Sequence, residues 1–328
     1  MMKRNNLITG LILIVFLSVI QSVIGQTRQK IIFDCDLGSD IDDAFALGLI
    51  LASPEFEVLG IVMGHGLTDK RAQVAGKILY MTNREDIPIV VGRKTSQVIG
   101  SDKPAEYSGQ YYWAEGFNKV RPISKSASEF IIENLRKYPD EVILITVGPV
   151  TNIGDVIRKD PEALKLAKHV YSMFGSFYTG YGTVEDPNPV ITQEWNVRGD
   201  SEASKLLVGS KSKITYCGLD VTTQVWFDKD LQFKLMMRQS PLTDALCGLT
   251  ALWGGSKPCL HDAVTVGMIL WPDLFTTRPA FVKISGDAYT VIDESKEPNC
   301  EIAMTVKTAE FLKRLMNRLM TQSLGDIK

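Results

Sequence analysis

The stretch IIFDCDLGSDIDDAFAL, residues 31–47, places an acidic loop directly after a short apolar run. The apolar residues Ile31 to Phe33 are typical of the end of a buried strand. Five aspartates follow within ten positions around one glycine: Asp34, Asp36, Asp40, Asp42 and Asp43. Carboxylates this close repel one another and raise each other's pKa unless a cation compensates them. The stretch therefore predicts a site for a hard cation such as calcium or magnesium, which prefer oxygen ligands, rather than for zinc.

Strand-like and helix-like patterns alternate on the C-terminal side of this stretch. Apolar segments predict strands over 30–33, 57–63, 87–91, 142–147, 169–173, 213–217, 280–284, 289–292 and 302–306. Helical spacing predicts helices over 42–51, 69–81, 126–137, from 151, over 201–207, over 231–252 with a break at Pro241, from 262 to before Pro272, and around 311–319. This order predicts a single α/β domain with a mostly parallel central sheet flanked by helices, a Rossmann-like open sheet. Ligands bind such sheets outside the carboxyl ends of the strands, where the acidic stretch lies.

Residues 1–25 differ from the rest of the chain. Lys3 and Arg4 precede an apolar run over 7–20, and small residues lead to Gly25. This pattern predicts a secretory signal peptide over 1–25, followed by a catalytic domain over 26–328, and hence export to a periplasm or out of the cell. An uncleaved N-terminal anchor is the alternative, although the apolar run is shorter than the roughly 20 residues that a membrane span needs.

The overall composition limits the classes of partner. Apolar residues make up 45% of the 328 positions and charged residues 23%, which is ordinary for a globular protein. The formal net charge is −2 and no block of Lys and Arg occurs, which argues against nucleic-acid binding. The five cysteines are odd in number and widely spaced, and they predict neither a CxxC metal site nor a disulfide framework. Cys247 and Cys259 are the nearest pair that one incidental disulfide could join.

Two other metal-dependent motifs fit the acidic loop less well. An EF-hand loop starting at Asp34 would need a glycine and a glutamate where Ser39 and Phe45 stand. A haloacid-dehalogenase-like magnesium phosphatase would use Asp34 and Asp36, but it also needs a later GDxxxD pair. Ser204 stands in place of the second acid of that pair. This phosphatase is kept as an alternative function.

The opening stretch resembles the N-terminal signature of the inosine-uridine preferring nucleoside hydrolases, usually an apolar strand followed by DTDPGxDDAxAL. Four later segments resemble that family in the same order: IPIVVG at 87–92, LITVGPVTN at 144–152, NPVITQEWN at 188–196 and HDAVTVGMIL at 261–270. The resemblance implies calcium-dependent hydrolysis of the N-glycosidic bond of ribonucleosides to free base and ribose. It also implies a small nucleoside or other riboside as the ligand, no nucleic acid, no stable membrane partner, and a homodimer or tetramer.

The resemblance assigns metal and catalytic roles by position. Asp36 is implied as a calcium ligand and as the base that activates a metal-bound water. Asp43, Asp262 and the backbone carbonyl of Val147 are implied as the remaining protein ligands of calcium. His261 is implied to assist the departing base, although a structural role at the start of a helix is the alternative.

The resemblance also implies four contacts to ribose: Asp42, Asn188, Glu194 and Asn196. Each has a structural alternative. Asp42 can be a charge that favours a helix N-terminus, Asn188 can shape a turn between two prolines, and Glu194 and Asn196 can bond within their loop. A catalytically weak ribose-binding relative is therefore a further alternative to an enzyme.

The chain departs from the family pattern at two positions near the predicted site. LGSDIDDA stands where PGxDDA is usual, so Asp40 is an extra carboxylate that competes with Asp42 for the ribose contact. His65 follows Gly64 where the family often has asparagine, which makes His65 a candidate contact to the sugar or the water. The aromatic residues within 174–181 are candidates for stacking on a base or for packing the loop.

Overall fold

Strands and helices largely alternate in the N-terminal two thirds of the computed structural model, which describes residues 28–183 and 185–321. The strands are β1 Gln29–Cys35, β2 Phe56–Met63, β3 Ile89–Val91, β4 Val142–Thr146, β5 His169–Met173, β6 Ile214–Cys217, β7 Phe275–Ala280, β8 Val282–Ile284, β9 Thr290–Ile292 and β10 Cys300–Val306. The helices are α1 Asp42–Leu51, α2 Thr68–Met81, α3 Gly109–Trp113, α4 Ala127–Lys137, α5 Thr151–Lys159, α6 Trp195–Gly199, α7 Ser201–Val208, α8 Leu219–Thr222, α9 Lys229–Arg238, α10 Pro241–Trp253, α11 His261–Leu270 and α12 Thr308–Thr321. Two 3-10 turns, Ala163–Leu166 and Pro272–Leu274, complete these elements.

Eight of these strands form one sheet in the order β3-β2-β1-β4-β5-β6-β10-β7, and β8 pairs with β9 in a separate two-stranded sheet. All neighbours in the large sheet are parallel except β10 and β7, which are antiparallel. The predicted fold, a single domain with a mostly parallel central sheet flanked by helices, is confirmed. The predicted signal peptide lies outside the described residues. Within the described residues, no helix combines the length and the apolar character that a membrane crossing requires.

Helices cover both faces of the sheet, so successive residues of its central strand enter different cores. Ile31 and Phe33 of β1 are fully buried in one apolar core, and Ile32 between them is buried in the other. A strand covered on both faces reads as a continuous apolar run rather than an alternating one. β1 ends at Cys35, so Asp36 is the first residue beyond the strand.

Several predicted bounds are right to within a residue or two, and others are corrected. The predicted helix over 42–51 and strand over 169–173 are confirmed at both ends. The single strand predicted over 280–284 is wrong, because β7 ends at Ala280 and β8 begins at Val282. The short helices α3, α6 and α8 were not predicted, because five residues or fewer show no helical period. The described cysteines are all unpaired, so no disulfide joins Cys247 to Cys259.

The strand order places the acidic loop at the reversal point of the sheet. β1 lies between β2 and β4. After β1 the chain adds β2 on one side of the sheet, and after β4 it adds β5 on the other side. Loops that follow adjacent parallel strands at such a reversal diverge and leave a crevice between them. The loops after β1, β4 and β5 border that crevice, and they contain most of the predicted site residues.

Candidate active site

A cavity of about 200 Å³ lies at this carboxyl edge of the sheet. Its acidic lining comes from the loop after β1, the start of α1, the start of α6 and the start of α11: Asp36, Asp40, Asp42, Asp43, Glu194 and Asp262. Its other lining residues are Ser39, Val147, Met173, Tyr181, Trp195, Asn196 and His261. The fold thus brings together residues that are more than 200 positions apart in the chain.

Three buried aspartates form the tightest carboxylate group in the cavity. Asp42, Asp43 and Asp262 each offer an oxygen within 4.8 Å of the others. The backbone N–H of Asp262 also donates to Oδ2 of Asp42 at 3.3 Å. Burial, and then repulsion from neighbouring carboxylates, raise the pKa of all three well above the usual range. A bound cation would remove this penalty, and a set of carboxylate oxygens suits a hard metal ion.

Asp36 lies beside this group in the same cavity. Its backbone N–H donates to Oδ1 of Asp43 at 3.1 Å, which ties the loop to the first turn of α1. Ser39 donates to Oδ2 of Asp36 at 3.4 Å. On the other side the carboxylate packs against Gly148, where an added Cβ would lie 2.7 Å from Oδ1. Asp36 is therefore fixed by its neighbours while its carboxylate faces the cavity.

The extra carboxylate, Asp40, and its competitor, Asp42, occupy different environments. Asp42 begins α1 and is 4% exposed, within the three-aspartate group. Asp40 belongs to an exposed part of the loop, and its Oδ1 accepts the backbone N–H of Ile41 at 2.6 Å. Both line the cavity. Asp42 thus stands with the predicted metal ligands, although the resemblance implies it as a ribose contact.

Asn196 connects the ends of two strands at the floor of the cavity. Its Nδ2 donates to the backbone carbonyl of Val147 after β4 at 2.9 Å and to that of Met173 in β5 at 3.0 Å. Glu194 precedes α6 and accepts the backbone N–H groups of Asn196, Val197 and Gly175 at 2.8–3.1 Å. The side-chain amide and carboxylate are thereby held in fixed orientations with their remaining acceptor positions available.

Burial shifts the pKa of two ionisable side chains that line the cavity, Glu194 and His261. The desolvation of Glu194 raises its pKa to about 7, although three backbone N–H groups oppose the shift. Burial lowers the pKa of His261 to about 4, so its imidazole is neutral at pH 7. Nδ1 of His261 pairs with Oγ1 of Thr222 at 2.8 Å, and the ring meets Tyr181 edge to face at 6.3 Å. Nε2 is the ring nitrogen left for a ligand.

Two predicted ribose contacts lie outside this cavity. Oδ1 of Asn188 accepts the backbone N–H of Val190 at 3.0 Å, as in the turn that its flanking prolines suggest. His65 lines a neighbouring cavity of about 250 Å³, which shares Ser39 and Trp195 with the first. Burial lowers the pKa of His65. Of the candidate stacking aromatics, Tyr181 lines the first cavity, and Phe174 is buried against Tyr216.

Three further residues bear on the site and were not predicted from the sequence. Arg71 binds the acidic loop, Gly148 makes room for Asp36, and Trp195 lines both cavities. Trp195 lies within the NPVITQEWN segment, which offered a signal. Gly148 likewise lies within the LITVGPVTN segment, whereas Arg71 acts through contacts with distant parts of the chain, for which spacing along a single sequence carries no signal.

The fold and the site define a class of α/β domain in which a group of buried carboxylates lies at the reversal point of a mostly parallel sheet. The family model of the inosine-uridine preferring nucleoside hydrolases matches residues 31–313, and the chain belongs to that family. The family and the enzyme class that were predicted, a hydrolase acting on N-glycosidic bonds, are therefore confirmed. The magnesium phosphatase alternative is not supported. Family members generally depend on a metal, and the aspartate group offers a place for one.

Individual relatives cover nearly the same length. The chain is 28% identical over 325 residues to a probable uridine nucleosidase 2 of Arabidopsis thaliana, covering 89% of this chain and 98% of the relative. It is 30% identical over 304 residues to a non-specific ribonucleoside hydrolase of Escherichia coli, covering 87% and 96%. A plant nucleoside hydrolase structure superposes with a TM-score of 0.78 at 24% identity, covering 90% of this chain and all of that one. An inosine-uridine preferring nucleoside hydrolase structure from Bacillus anthracis gives 0.75 at 19% identity, with 90% and 100% covered, and both structures support the fold.

Proposed function

We propose that this protein is a calcium-dependent nucleoside N-ribohydrolase that releases free base and ribose. The observation that carries the proposal is the buried group of Asp42, Asp43 and Asp262 beside Asp36, in a cavity of a nucleoside hydrolase family member. The donors are carboxylate oxygens, and Val147, whose backbone carbonyl accepts a hydrogen bond from Nδ2 of Asn196, lines the same cavity. Calcium accepts more oxygen ligands in a more flexible geometry than magnesium, and it suits this crowded set better.

Bound calcium would lower the pKa of a coordinated water and hold the two cis hydroxyls of ribose. Side chains of the protein supply the other groups that the reaction needs. Hydrolysis of an N-glycosidic bond passes through an oxocarbenium-like sugar, which nearby negative charge stabilises. The Asp36 carboxylate supplies that charge in a mostly buried cavity, where electrostatic interactions are stronger than in water.

Asp36 is the proposed general base. Its carboxylate faces the cavity and accepts the proton of the attacking water while the water oxygen bonds to the anomeric carbon. The bond from that carbon to the base nitrogen breaks, and its electron pair leaves with the base. Asn196 orients the sugar through Oδ1, because its Nδ2 already donates to the carbonyls of Val147 and Met173.

His261 is proposed to act on the leaving base as a neutral imidazole. With its pKa lowered to about 4, it carries no extra proton at pH 7. It therefore assists by a hydrogen bond from Nε2 rather than by donating a proton as an imidazolium ion. Tyr181, which contacts the His261 ring, forms part of the same wall.

A nucleoside panel tests the proposal. The purified protein is incubated with uridine, cytidine, inosine, guanosine and adenosine, with calcium or with a chelator, and reducing sugar and free base are both measured. We expect ribose and base in equal amounts with calcium and none above background with chelator. Asp36→Asn should abolish release, whereas Asp86→Asn, at an exposed aspartate paired with Arg84, should not. Binding without turnover in the parent protein would contradict the proposal.

The cell location and assembly are proposed from the sequence and the resemblance. The basic residues Lys3 and Arg4 before an apolar run support export, and N-terminal sequencing of the protein from a periplasmic or culture fraction would test it. A homodimer or tetramer is supported by exposed apolar side chains on α9, since Phe233 is 58% exposed and Met237 61%. Light scattering on the purified protein gives the subunit number, and a monomer would contradict this part.

A further inference from the structure

Arg71 in α2 is the one lysine or arginine among the described residues whose side chain is buried, with 4% of it exposed. A buried cation is costly unless it is paired and fully hydrogen-bonded. Its position behind the acidic loop, rather than at the surface, therefore needs a reason. The family motifs that identify the cavity do not include this residue.

The guanidinium group joins two loops that follow neighbouring strands. Nε donates to the backbone carbonyl of His65, after β2, at 2.7 Å. Nη1 donates to the backbone carbonyls of Leu37, at 3.0 Å, and Asp36, and to Oγ of Ser39 at 3.2 Å. Nη2 lies 3.8 Å from Oδ2 of Asp36. One side chain thus satisfies the carbonyls of Asp36 and Leu37 in one loop and of His65 in the other, and it also pairs with the Asp36 carboxylate.

A second buried side chain also holds this loop: Nε2 of Gln110 donates to the backbone carbonyls of Ser39 at 3.2 Å and Asp40 at 2.8 Å. The loop is longer than the usual family pattern by two residues, Asp40 and Ile41. Residues 37–41 form turns and bends without regular secondary structure. Gly38 has a φ of +103°, and the ring of Tyr111 packs on its face, where an added Cβ would lie 2.7 Å from the ring. The same ring lies 6.0 Å from the Arg71 guanidinium. Arg71 is therefore the charged anchor of the loop at Asp36 and Leu37, whereas Gln110 holds its far end at Ser39 and Asp40.

We propose that Arg71 is a positioning residue that holds Asp36 and the enlarged loop in the geometry needed for metal binding and catalysis. The inference rests on the proposed function of Asp36. Arginine suits the role because its planar guanidinium presents five donors in a fixed arrangement, whereas lysine offers one flexible ammonium. The alternative is that Arg71 only offsets the negative charge of the aspartates.

These two roles predict opposite changes in calcium affinity. If Arg71 only offsets charge, Arg71→Ala removes a repulsive cation near the metal site, and calcium should bind more tightly. If Arg71 positions Asp36, the loop relaxes, and affinity should fall about 10- to 100-fold, as is typical for residues that orient metal ligands. Calorimetric titration with calcium alone measures this without any nucleoside. Lys70→Ala, at the preceding residue in α2, is the matched control and should leave the affinity unchanged.

Kinetics on a nucleoside that the parent protein hydrolyses give the second readout. Arg71→Ala should lower kcat by roughly 100-fold, since displacements near 1 Å at reacting groups have effects of that size. KM should change far less, because the ribose contacts at Asn196 stay in place. Arg71 lines the neighbouring cavity, so guanidinium ion at millimolar concentration can enter the space and should restore part of kcat. Urea at the same concentration, which has the shape without the charge, should not.

Each outcome decides the inference. Lower calcium affinity with guanidinium-dependent recovery of kcat supports it, whereas unchanged or higher affinity overturns it. If Arg71→Ala does not fold, Arg71→Lys keeps the charge without the two-loop contacts, and parent calcium affinity and kcat in that variant would overturn the inference. If the parent protein hydrolyses no nucleoside, the proposed function fails, and the calcium affinities alone decide whether Arg71 positions the site.

Discussion

The contact between Gly148 and Asp36 predicts that a single added methyl group will impair the site. In Gly148→Ala the new Cβ would lie 2.7 Å from Oδ1 of Asp36 and 3.0 Å from its Cγ. The shorter distance is 0.7 Å below the 3.4 Å at which ordinary contact begins. Gly148 has no positive φ, so alanine fits the backbone and the clash alone acts. The Asp36 backbone is hydrogen-bonded to Asp43 and Arg71, so only rotation of the Asp36 carboxylate can relieve the clash.

A displacement of this size should reduce kcat roughly 10- to 100-fold, because 1 Å of misplacement at a reacting group costs about 100-fold. This corresponds to about 1.4–2.7 kcal/mol of transition-state stabilisation. Reducing-sugar release from uridine and inosine at saturating calcium measures it, with thermal unfolding to show that the variant folds. Gly286→Ala, where an added Cβ meets nothing within 4 Å, is the control. A kcat within about twofold of the parent would refute the placement of Asp36 as the base.

Three further predictions concern the buried polar groups. Asp42→Asn should weaken calcium binding far more than Asp40→Asn, because only Asp42 stands in the three-aspartate group; equal effects in calorimetry would contradict this. Asn196→Ala should lower the free energy of unfolding by about 1–3 kcal/mol and reduce turnover, since it leaves the Val147 carbonyl unpaired; urea unfolding with unchanged stability would argue against that bridge. Burial raises the pKa of Asp34 from 3.8 to about 7, so the folded, metal-free protein binds its proton more tightly than the unfolded chain. Stability from this group is present below about pH 4 and is lost as pH rises through about 7. Asp34→Asn should therefore flatten the fall of the unfolding temperature with pH in chelator, and an unaltered slope would contradict the assignment.

The sequence allowed the fold class and most element bounds to be predicted, because long amphipathic helices and doubly covered strands have strong periodic patterns. The antiparallel edge strand β7 was missed because its sequence, FTTRPA over Phe275–Ala280, contains no continuous apolar run. Short helices depend on local capping, as where Glu194 accepts the N–H groups that begin α6. Such contacts are not expressed in periodicity.

Residues of the candidate site could be predicted from the sequence where they lie within recognisable motifs. The acidic stretch and the later segments named the aspartates that the fold brings together, including Asp42, Asp43 and Asp262. Arg71 was not predictable, because it binds backbone carbonyls, which any sequence supplies. Asn188 lies in a named motif yet bonds within its own turn. Motifs therefore indicate which segments meet, and the packing decides which side chains face the ligand.

Calcium titration of metal-stripped protein shows directly whether hydrolysis depends on calcium bound at the three-aspartate group. Calcium binding and ribose release from the same nucleoside are followed on one sample as calcium is added back. We expect activity to rise in proportion to the occupancy of a single calcium site per chain. Asp262→Asn should weaken calcium binding and ribose release together. Undiminished ribose release from the metal-free protein, or calcium binding without any release, would contradict this dependence on calcium.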